Sequence, residues 1–406
     1  MKVLLIIIDG LGDAKISQLK NKTPLEAAKT PHLDFLVKQG ICGLMTPFKF
    51  DWQEKPESDT SHLALFGYEP EKYYLGRGVY EAAGIGIKLQ KGDLALRVNF
   101  ATVSDDLKVI DRRAGRISET QSLIKDLSGI EIEGVKFILK KSYGHRAVLV
   151  LKGRNLSAKI SDSDPKVTGG RALQIKPLDK STEAKFTAQV LNKFLEKAHQ
   201  ILKNHPLNKE KERKGLLPAN ELLVRGAGLL RETLSFKEKY NLISCCLAGG
   251  ALYKGIAKIL GMDLIEVKGA TGFANTNLKG KIQAAKNALE KYDFVFLHIK
   301  AADSLAEDGN FFGKKEFIER IDENLKPLLG LRNTLIVVTA DHSTCSNLKR
   351  HCLEPIPILI FGPGIKTDEV RKFSETACQK GKLGLFNQLD LMPKILSILA
   401  KVGKTK

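Results

Sequence analysis

The chain has 406 residues, of which 43% are hydrophobic and 27% are charged, a composition that excludes a largely disordered protein. Its length predicts two or three domains, or one large core that carries an insertion. Lysine and arginine outnumber aspartate and glutamate by 65 to 46, but no basic stripe interleaved with aromatic residues is present. We therefore expect a solvated basic surface and no nucleic-acid partner.

The first predicted element is the apolar run at residues 3–8, which Asp9 ends. This run resembles the start of a signal sequence, but it stops too early and no small-residue cleavage site follows it. No segment approaches the about 18–20 apolar residues that a membrane-spanning helix needs. We therefore expect a buried strand in a cytoplasmic protein without a membrane partner. The six cysteines show no C-x-x-C spacing and are expected to be reduced thiols.

Apolar runs rich in β-branched residues alternate with segments of helical period in both terminal parts of the chain. This alternation is typical of an α/β fold, in which helices flank a mostly parallel sheet. The predicted strands are residues 3–8, 294–298, 334–338 and 356–360, and the predicted helices are residues 29–38, 250–260, 278–292 and 315–329.

The middle of the chain has a different pattern, with shorter or more strictly alternating apolar runs and frequent polar turns. Its predicted elements are strands at residues 94–100 and 147–151, a helix at residues 182–202 and a charged loop near residues 208–214. We therefore predict a smaller inserted α+β domain over residues 86–230. The core domain is then discontinuous and consists of residues 1–85 and 231–406.

Three of the predicted core strands run into aspartates, namely Asp9, Asp303 and Asp341. Because ligands bind at the carboxyl ends of strands in an open parallel sheet, we expect these carboxylates at one edge, where a divalent cation would offset their repulsion. A helix N-cap is the alternative for any one of them. His342 follows Asp341 directly, and His351 precedes another strand, so both are candidate ligands. Such a mixed shell suits Mn²⁺, Zn²⁺ or Mg²⁺.

Ser58 lies just before an apolar helical stretch, and its hydroxyl has two interpretations. As a helix N-cap it would accept hydrogen bonds from backbone N–H groups, which is the simpler interpretation of this segment alone. As a nucleophile it would need activation by a neighbouring metal ion, and the start of a helix would favour a phosphate there.

A series of motifs in fixed order runs through nearly the whole chain. The motifs are IDGLGD at 8–13, KTP at 22–24, TPHLD at 30–34, SDTSH at 58–62, DRRAGR at 111–116, RGAG at 225–228, KGATG at 268–272 and TADHST at 339–344. Together they resemble the archaeal-type cofactor-independent phosphoglycerate mutases of the alkaline phosphatase superfamily. The resemblance implies an alkaline-phosphatase-like core with the smaller domain inserted.

The resemblance implies a two-metal site around a serine nucleophile. The residues at the family's ligand positions are Asp9, Ser58, Asp341 and His342 for one ion and Asp303, Glu307 and His351 for the other. The family has a histidine where this chain has Glu307; glutamate binds Mn²⁺ or Mg²⁺ but adds negative charge, which weakens a preference for zinc. We therefore expect two divalent cations, with Mn²⁺ as first candidate, Mg²⁺, Zn²⁺ or Co²⁺ as alternatives, and no 2,3-bisphosphoglycerate.

The implied reaction is the interconversion of 3-phosphoglycerate and 2-phosphoglycerate, in glycolysis and gluconeogenesis, through a phosphoserine at Ser58. Because the substrate carries a carboxylate, the inserted domain should supply arginines that hold it in bidentate fashion. The candidate substrate-binding residues are Arg112, Arg113, Arg116, Arg225 and Lys268, and Asp111 is a candidate acid–base partner of the glycerate hydroxyls.

Two alternatives stay open at this point. A metal-dependent phosphohydrolase, or another phosphomutase of the same superfamily, would share the metal ions and differ in its substrate contacts. A catalytically weakened homologue with a binding role is the other alternative, and Glu307 is the residue that suggests it.

Overall fold

The computed structural model describes residues 1–403 and divides the chain into two compact units. The core unit comprises Met1–Tyr74 and the described residues from Thr233 onward, and the insert comprises Leu75–Glu232. The first boundary between the core unit and the insert therefore lies before residue 86, where the sequence suggested it. The reason is that the helix Arg77–Gly84 packs on the first strand of the insert, where a Cβ on Gly78 would lie 2.1 Å from the carbonyl oxygen of Ala95.

The regular elements follow one another along the chain without an internal repeat. Residues 1–74 contain β1 (Lys2–Ile8), α1 (Pro24–Ala27), α2 (Pro31–Lys38), β2 (Ile41–Thr46), α3 (Ser58–Leu65) and α4 (Pro70–Tyr73). The insert contains α5 (Arg77–Gly84), β3 (Leu94–Val103), β4 (Val109–Asp111), α6 (Gln121–Leu127), β5 (Glu131–Ile132), β6 (Val135–Lys141), β7 (Arg146–Lys152), α7 (Thr182–Asn204), α8 (Pro206–Arg213) and β8 (Glu221–Leu229).

The second part of the core unit follows the insert. Its first half contains α9 (Phe236–Tyr240), β9 (Ser244–Leu247), α10 (Ala251–Ile259), β10 (Asp263–Leu264), α11 (Leu278–Lys291), β11 (Phe294–Ile299), α12 (Ala301–Glu307) and α13 (Phe311–Asn324). Its second half contains β12 (Thr334–Thr339), β13 (Ser343–Cys345), β14 (Arg350–Cys352), β15 (Ile356–Phe361), α14 (Glu375–Cys378), β16 (Gly384–Asn387) and α15 (Leu391–Gly403). Short 3-10 helices occur at Ser17–Leu19, Ala114–Arg116, Lys326–Leu328 and Gln388–Asp390.

The core unit is built on an eight-stranded sheet in the order β10-β9-β11-β1-β12-β15-β2-β16. All neighbouring strands pair in parallel except where β15 pairs antiparallel with β12 and β2, so the predicted α/β class with a mostly parallel sheet is confirmed. The central strand β1 has six consecutive apolar residues without solvent exposure. Each such side chain contributes roughly 1.5–3 kcal/mol on burial, which makes this strand the centre of the core.

The insert has an antiparallel sheet in the order β4-β3-β7-β6-β5, with β8 pairing to the other side of β3. The helices α6 and α7 pack on this sheet, and the apolar core includes the stacked rings of Phe137 and Phe194. The charged segment near residues 208–214 was expected to be a loop, but most of it belongs to α8. Pro206 at the first helical position and the capping side chain of His205 start this helix, and alternating charges pair along it.

Cys345 and Cys352 form a disulfide that joins β13 to β14, so the expectation of reduced thiols is wrong for this pair. The hairpin brings the two Cα atoms to 5.8 Å, which is within the usual range for a disulfide. The remaining cysteines are buried thiols, namely Cys42, Cys245, Cys246 and Cys378. Among the helices of the described residues, none has both the length and the apolar character that crossing a bilayer requires.

The carboxyl group of Glu375, at the start of α14, makes the stability of the core unit depend on pH. Glu375 accepts a hydrogen bond from Thr23 Oγ1 at 2.8 Å, and burial raises its pKa from 4.5 to about 7. Because the pKa is higher in the folded state, the contribution of Glu375 to stability is complete below pH 4.5 and is lost as the pH rises through about 7.

We therefore expect Glu375→Gln to be on the order of 2–3 kcal/mol more stable than the native chain at about pH 8, and no more stable at about pH 4. Urea unfolding at the two pH values measures this difference. The control Glu316→Gln changes an exposed residue and should follow the native chain throughout. Equal stability of the native chain and Glu375→Gln at the higher pH would contradict the expectation.

Candidate active site

The register of three parallel strands brings the predicted aspartates to one edge of the sheet. In β1, Ile8 pairs with Ile299 of β11, and Ile7 pairs with Thr339 of β12, so the carboxyl ends of the three strands are level. Asp9 and Asp341 follow directly, and Asp303 lies in the first turn of α12. All three aspartates are completely buried. The sequence-based expectation of a carboxylate cluster at this edge therefore has a direct structural basis.

Asp9, Asp341 and His342 form one group of side chains that could hold a metal ion, with ligand atoms within 4.8 Å of one another. Ser58 Oγ lies 3.2 Å from Nε2 of His342 and so faces the same group. The buried Oδ1 of Asp9 and Oδ2 of Asp341 accept no hydrogen bond from any residue in the described part of the chain. Buried carboxylate oxygens without donors are costly unless a cation binds them, so this group fits a divalent metal ion.

The charges of the cluster lead to the same conclusion. Burial, and then the neighbouring charge of Asp9, raise the pKa of Asp341 well above its ordinary value. Burial alone would also raise the pKa of Asp9, but the ammonium group of Lys300 and the contact with His298 together lower that pKa. Two adjacent carboxyl groups whose pKa values are shifted in opposite directions do not readily ionise together. A divalent cation would allow both to be ionised.

A second group consists of Asp303, His342 and His351, again with ligand atoms within 4.8 Å. His351 Nδ1 is 2.8 Å from the carbonyl oxygen of Pro56 and donates to it, while Nε2 lies 3.4 Å from Oδ1 of Asp303. This hydrogen bond fixes the ring and directs Nε2 towards the group, as backbone carbonyl oxygens do for metal-binding histidines. Glu307 Oε1 is 3.9 Å from the same Nε2, at the rim, with 49% of its side chain exposed.

Asp9 is held by three donors that the sequence analysis did not single out. Its Oδ2 accepts hydrogen bonds from the Tyr253 hydroxyl at 2.5 Å and from His298 Nε2 at 3.1 Å, and Lys300 Nζ lies 3.2 Å away. His298 and Lys300 could have been noticed as polar residues at the end of an apolar strand. Tyr253 had no local signal, because it lies in an amphipathic helix. These contacts involve Oδ2, so Oδ1 is the oxygen of Asp9 that is left to bind a cation.

The N-cap interpretation of Ser58 is wrong. Glu57 is the N-cap of α3, Ser58 is its first helical residue, and no side-chain capping bond is present there. Instead, Nδ1 of His62 donates to the backbone oxygen of Ser58 at 2.7 Å. Opposite, Gly10 has a φ of +66°, and a Cβ there would lie 2.7 Å from Cβ of Asp303. The site therefore requires glycine at this turn.

In the insert, a cluster of arginines surrounds one carboxylate. Arg97 of β3 lies directly opposite Arg225 of β8, and Arg146 of β7 lies opposite Asn99 on the same face. Nη1 of Arg97 lies 3.6 Å from Oε1 of Glu81. Burial, and then the charges of neighbouring guanidinium groups, lower the pKa of Arg97 well below its ordinary value. Positive charges placed this closely repel each other, and a bound anion would reduce that repulsion. Among these arginines, the sequence analysis named only Arg225.

The predicted cluster at residues 111–116 has several internal contacts. Arg112 makes a bidentate ion pair with Asp164, through Nε at 3.1 Å and Nη2 at 2.6 Å. Asp111 accepts hydrogen bonds from the backbone N–H groups of Arg113 and Gly115, so both carboxylate oxygens take part in the turn. These contacts account for a structural role of Asp111 and Arg112.

The other predicted substrate-binding residues have different surroundings. Arg113 and Arg116 are exposed, and Nε of Arg225 lies 3.9 Å from Asp164. Lys268 belongs to the core unit, where its side chain is exposed and its carbonyl oxygen accepts a hydrogen bond from Asn277. Arg225 is thus the member of the predicted set that belongs to the arginine cluster around the buried Arg97.

The family model and the related proteins that match this chain carry the same family description. A family model described as 2,3-bisphosphoglycerate-independent phosphoglycerate mutase matches residues 37–208. Proteins named 2,3-bisphosphoglycerate-independent phosphoglycerate mutase 1 are similar to the chain: that of Archaeoglobus fulgidus is 48% identical over 98% of each chain, and that of Methanocaldococcus jannaschii is 47% identical over 99% of this chain and 98% of its own.

Solved structures are similar over almost the full length as well. A cofactor-independent phosphoglycerate mutase from Thermoplasma acidophilum has a TM-score of 0.70 and 37% identity, and covers 98% of this chain and all of its own. A protein from Pyrococcus horikoshii has a TM-score of 0.84 and 34% identity, over 98% of this chain and 97% of its own.

Proposed function

The chain belongs to the family of 2,3-bisphosphoglycerate-independent phosphoglycerate mutases, and from this membership we propose how its residues perform the reaction. The enzyme is an isomerase that interconverts 3-phosphoglycerate and 2-phosphoglycerate, a step of glycolysis and gluconeogenesis. The observation that carries the mechanism is the 3.2 Å separation of Ser58 Oγ and His342 Nε2, beside two open oxygens of Asp9 and Asp341.

Ser58 is the proposed nucleophile. Its oxygen attacks phosphorus as the oxyanion, the Oγ–P bond forms, and the bond to O3 of glycerate breaks. The departing glycerate oxygen takes up one proton, which balances the proton that Ser58 has lost. In the second step the 2-hydroxyl of the retained glycerate loses its proton and attacks phosphorus, and the Oγ–P bond breaks. Ser58 Oγ takes up one proton, so that 2-phosphoglycerate leaves and Ser58 is restored. Splitting the transfer into two displacements is the usual advantage of a covalent intermediate.

Two divalent cations are proposed, with Mn²⁺ as the first candidate. Asp9, Asp341, His342 and Ser58 would hold one ion, and Asp303, His351 and Glu307 the other. Bound there, they would favour the ionised serine and neutralise the phosphoryl oxygens. Except for Glu307 at the rim, these residues supply oxygen and nitrogen ligands from buried side chains, a setting that limits access of water.

Recognition of the glycerate carboxylate is assigned to the insert. Arg97 is buried, Arg225 lies directly opposite it, and Arg146 lies on the same face of the sheet. The paired N–H donors of guanidinium groups match a carboxylate. Arg112, Arg113, Arg116 and Lys268 remain predicted contacts, and the acid–base role of Asp111 stays a prediction. The expectations of a cytoplasmic location and of no nucleic-acid or membrane partner also stay predictions.

An enolase-coupled assay on 3-phosphoglycerate, without 2,3-bisphosphoglycerate, tests the proposed function with Mn²⁺, Mg²⁺, Zn²⁺ and Co²⁺ in turn. We expect turnover with at least one metal and none after chelation. Orthophosphate release is measured in the same samples, because a phosphohydrolase would release phosphate instead of forming 2-phosphoglycerate. Folded protein that binds metal and substrate but turns over with none of the four ions would support the weakened homologue instead.

The residue that sets the metal preference is proposed to be Glu307. Its carboxylate lies at the rim of the second group, 3.9 Å from His351, and adds a negative charge where the family has a neutral imidazole. We expect Glu307→His to retain or raise turnover with Mn²⁺ and to bind Zn²⁺ more tightly than the native chain, since imidazole suits zinc. Activity titrations with the two metals measure the change.

Glu307→Gln is the matched control, because it removes the charge without supplying an imidazole. It should not gain the zinc affinity of Glu307→His. Indistinguishable Zn²⁺ titrations of the native chain and both variants would show that Glu307 does not contact the second ion.

A further inference from the structure

The hydroxyl group of Thr344 lies between the two groups of candidate metal ligands. Thr344 belongs to β13, two residues after His342, and is completely buried. Its Oγ1 is 2.6 Å from Oδ1 of Asp303 and 3.2 Å from Nδ1 of His342. Asp303 belongs to the second group only, and His342 belongs to both. A single hydroxyl therefore contacts a ligand of each group.

The direction of these two hydrogen bonds follows from the chemistry of the three groups. A carboxylate only accepts, and a separation of 2.6 Å is typical of a hydroxyl that donates to it. The one proton of Thr344 is therefore used on Asp303, and its oxygen can only accept from His342. Nδ1 of His342 must carry the ring proton, which leaves Nε2 as a lone pair on the side of Ser58 Oγ.

We propose that Thr344 is a positioning residue that fixes the tautomer of His342 and the orientation of Asp303, and thereby links the two metal sites. This inference rests on the metal sites of the proposed function. Without the hydroxyl, His342 loses the acceptor that holds its proton on Nδ1, and a ring protonated on Nε2 cannot bind a cation there. Asp303 loses its only hydroxyl donor among the described residues. Both changes weaken metal binding.

The remaining contacts of Thr344 are made by its backbone. Its N–H donates to the carbonyl oxygen of Gly12 at 2.9 Å, and its own carbonyl oxygen accepts from Nζ of Lys314 at 2.9 Å. Thr344→Val keeps these bonds and the shape of the side chain and removes only the hydroxyl. Thr344→Ser keeps the hydroxyl and removes only a methyl group. The two variants therefore separate the hydrogen bonds from packing.

The test measures Mn²⁺ binding to the purified full chain by calorimetry, in the absence of substrate. We expect Thr344→Val to weaken Mn²⁺ binding about 10–100-fold, and Thr344→Ser to bind nearly as tightly as the native chain. Thr102→Val is the matched control, since Thr102 is a buried residue of the insert whose hydroxyl donates to the carbonyl oxygen of Pro218. It should bind Mn²⁺ as the native chain does.

Three results would overturn the inference. Native affinity in Thr344→Val would show that the hydroxyl is dispensable, and equal weakening in Thr344→Ser would assign the effect to packing. A native chain that binds no Mn²⁺ would overturn the proposed metal sites as well as the role of Thr344. This result distinguishes a failure of the proposed function from a failure of the Thr344 inference alone. If Thr344→Val does not fold, as judged by circular dichroism, Thr344→Ala compared with Thr344→Ser provides the same test of the hydroxyl.

Discussion

Ser58→Ala is expected to lower the isomerisation of 3-phosphoglycerate by at least about 10³-fold, because the proposed covalent intermediate forms on the Ser58 oxygen. The loss should appear in kcat, since the substrate-binding arginines are unchanged. Metal uptake should persist, because Asp9, Asp341 and His342 remain in place. Mass spectrometry of the native chain after rapid quenching with substrate should show a phosphorylated peptide that contains Ser58, and the variant should show none.

Ser61→Ala is the matched control for this experiment. Ser61 lies about one turn further along α3 and is also buried, so each variant removes one serine hydroxyl group from the same helix. Ser61→Ala should retain activity and the phosphorylated peptide. Normal turnover in Ser58→Ala, with Mn²⁺ binding intact, would eliminate the phosphoserine mechanism.

Lys314→Met is expected to cost about 3–5 kcal/mol of the free energy of unfolding. The ammonium group of Lys314 is completely buried and lies 2.9 Å from Oδ2 of Asp13, and it also donates to the carbonyl oxygens of Gly12 and Thr344. Removing it leaves the buried carboxylate of Asp13 without its cation. The segments it joins carry Asp9 and His342, so the loss destabilises the frame of the active site.

Urea unfolding measures this loss, and the neighbouring lysine provides the control. Lys315 pairs with Glu319 at 2.8 Å, with more than a quarter of its side chain exposed, so Lys315→Met should change stability by at most about 1 kcal/mol. The double variant Asp13→Asn/Lys314→Met should recover part of the loss, because it leaves no unpaired charge. Equal unfolding of Lys314→Met and Lys315→Met would show that the buried pair adds nothing.

The position of the acidic cluster could be predicted because it depends on a regular property of parallel sheets. The strands β1, β11 and β12 were recognisable from their apolar β-branched runs, and the carboxyl ends of such strands meet at one edge. Asp9, Asp303 and Asp341 therefore came together where the sequence suggested. By contrast, the hydroxyl of Ser58 had two interpretations in its own segment. Only the structure excluded the N-cap, because Glu57 takes that position and Ser58 Oγ faces His342, far away in the chain.

The candidate substrate-binding residues Arg97 and Arg146, by contrast, could not be predicted from the sequence. The arginines of residues 111–116 stood out because they are close together in sequence, yet Arg112 is paired with Asp164. Arg97 and Arg146 are far apart in sequence. Arg97 lies inside the mostly apolar strand β3, and Arg146 is the first residue of the mostly apolar strand β7. Their shared face follows from the antiparallel register of β3 and β7, which no local pattern specifies.

By itself, the amino-acid sequence determined the α/β class, the family, the presence of an insert and the candidate metal ligands, because these depend on periodicity and on motifs of adjacent residues. Only the tertiary structure decided that Thr344 bridges Asp303 and His342, that Tyr253 holds Asp9 and that Cys345 is bonded to Cys352. Such contacts depend on strand register, hairpin geometry and the rotation of helices against the sheet. These are set by packing over the whole core, so the residues concerned carry no local signal of their partners.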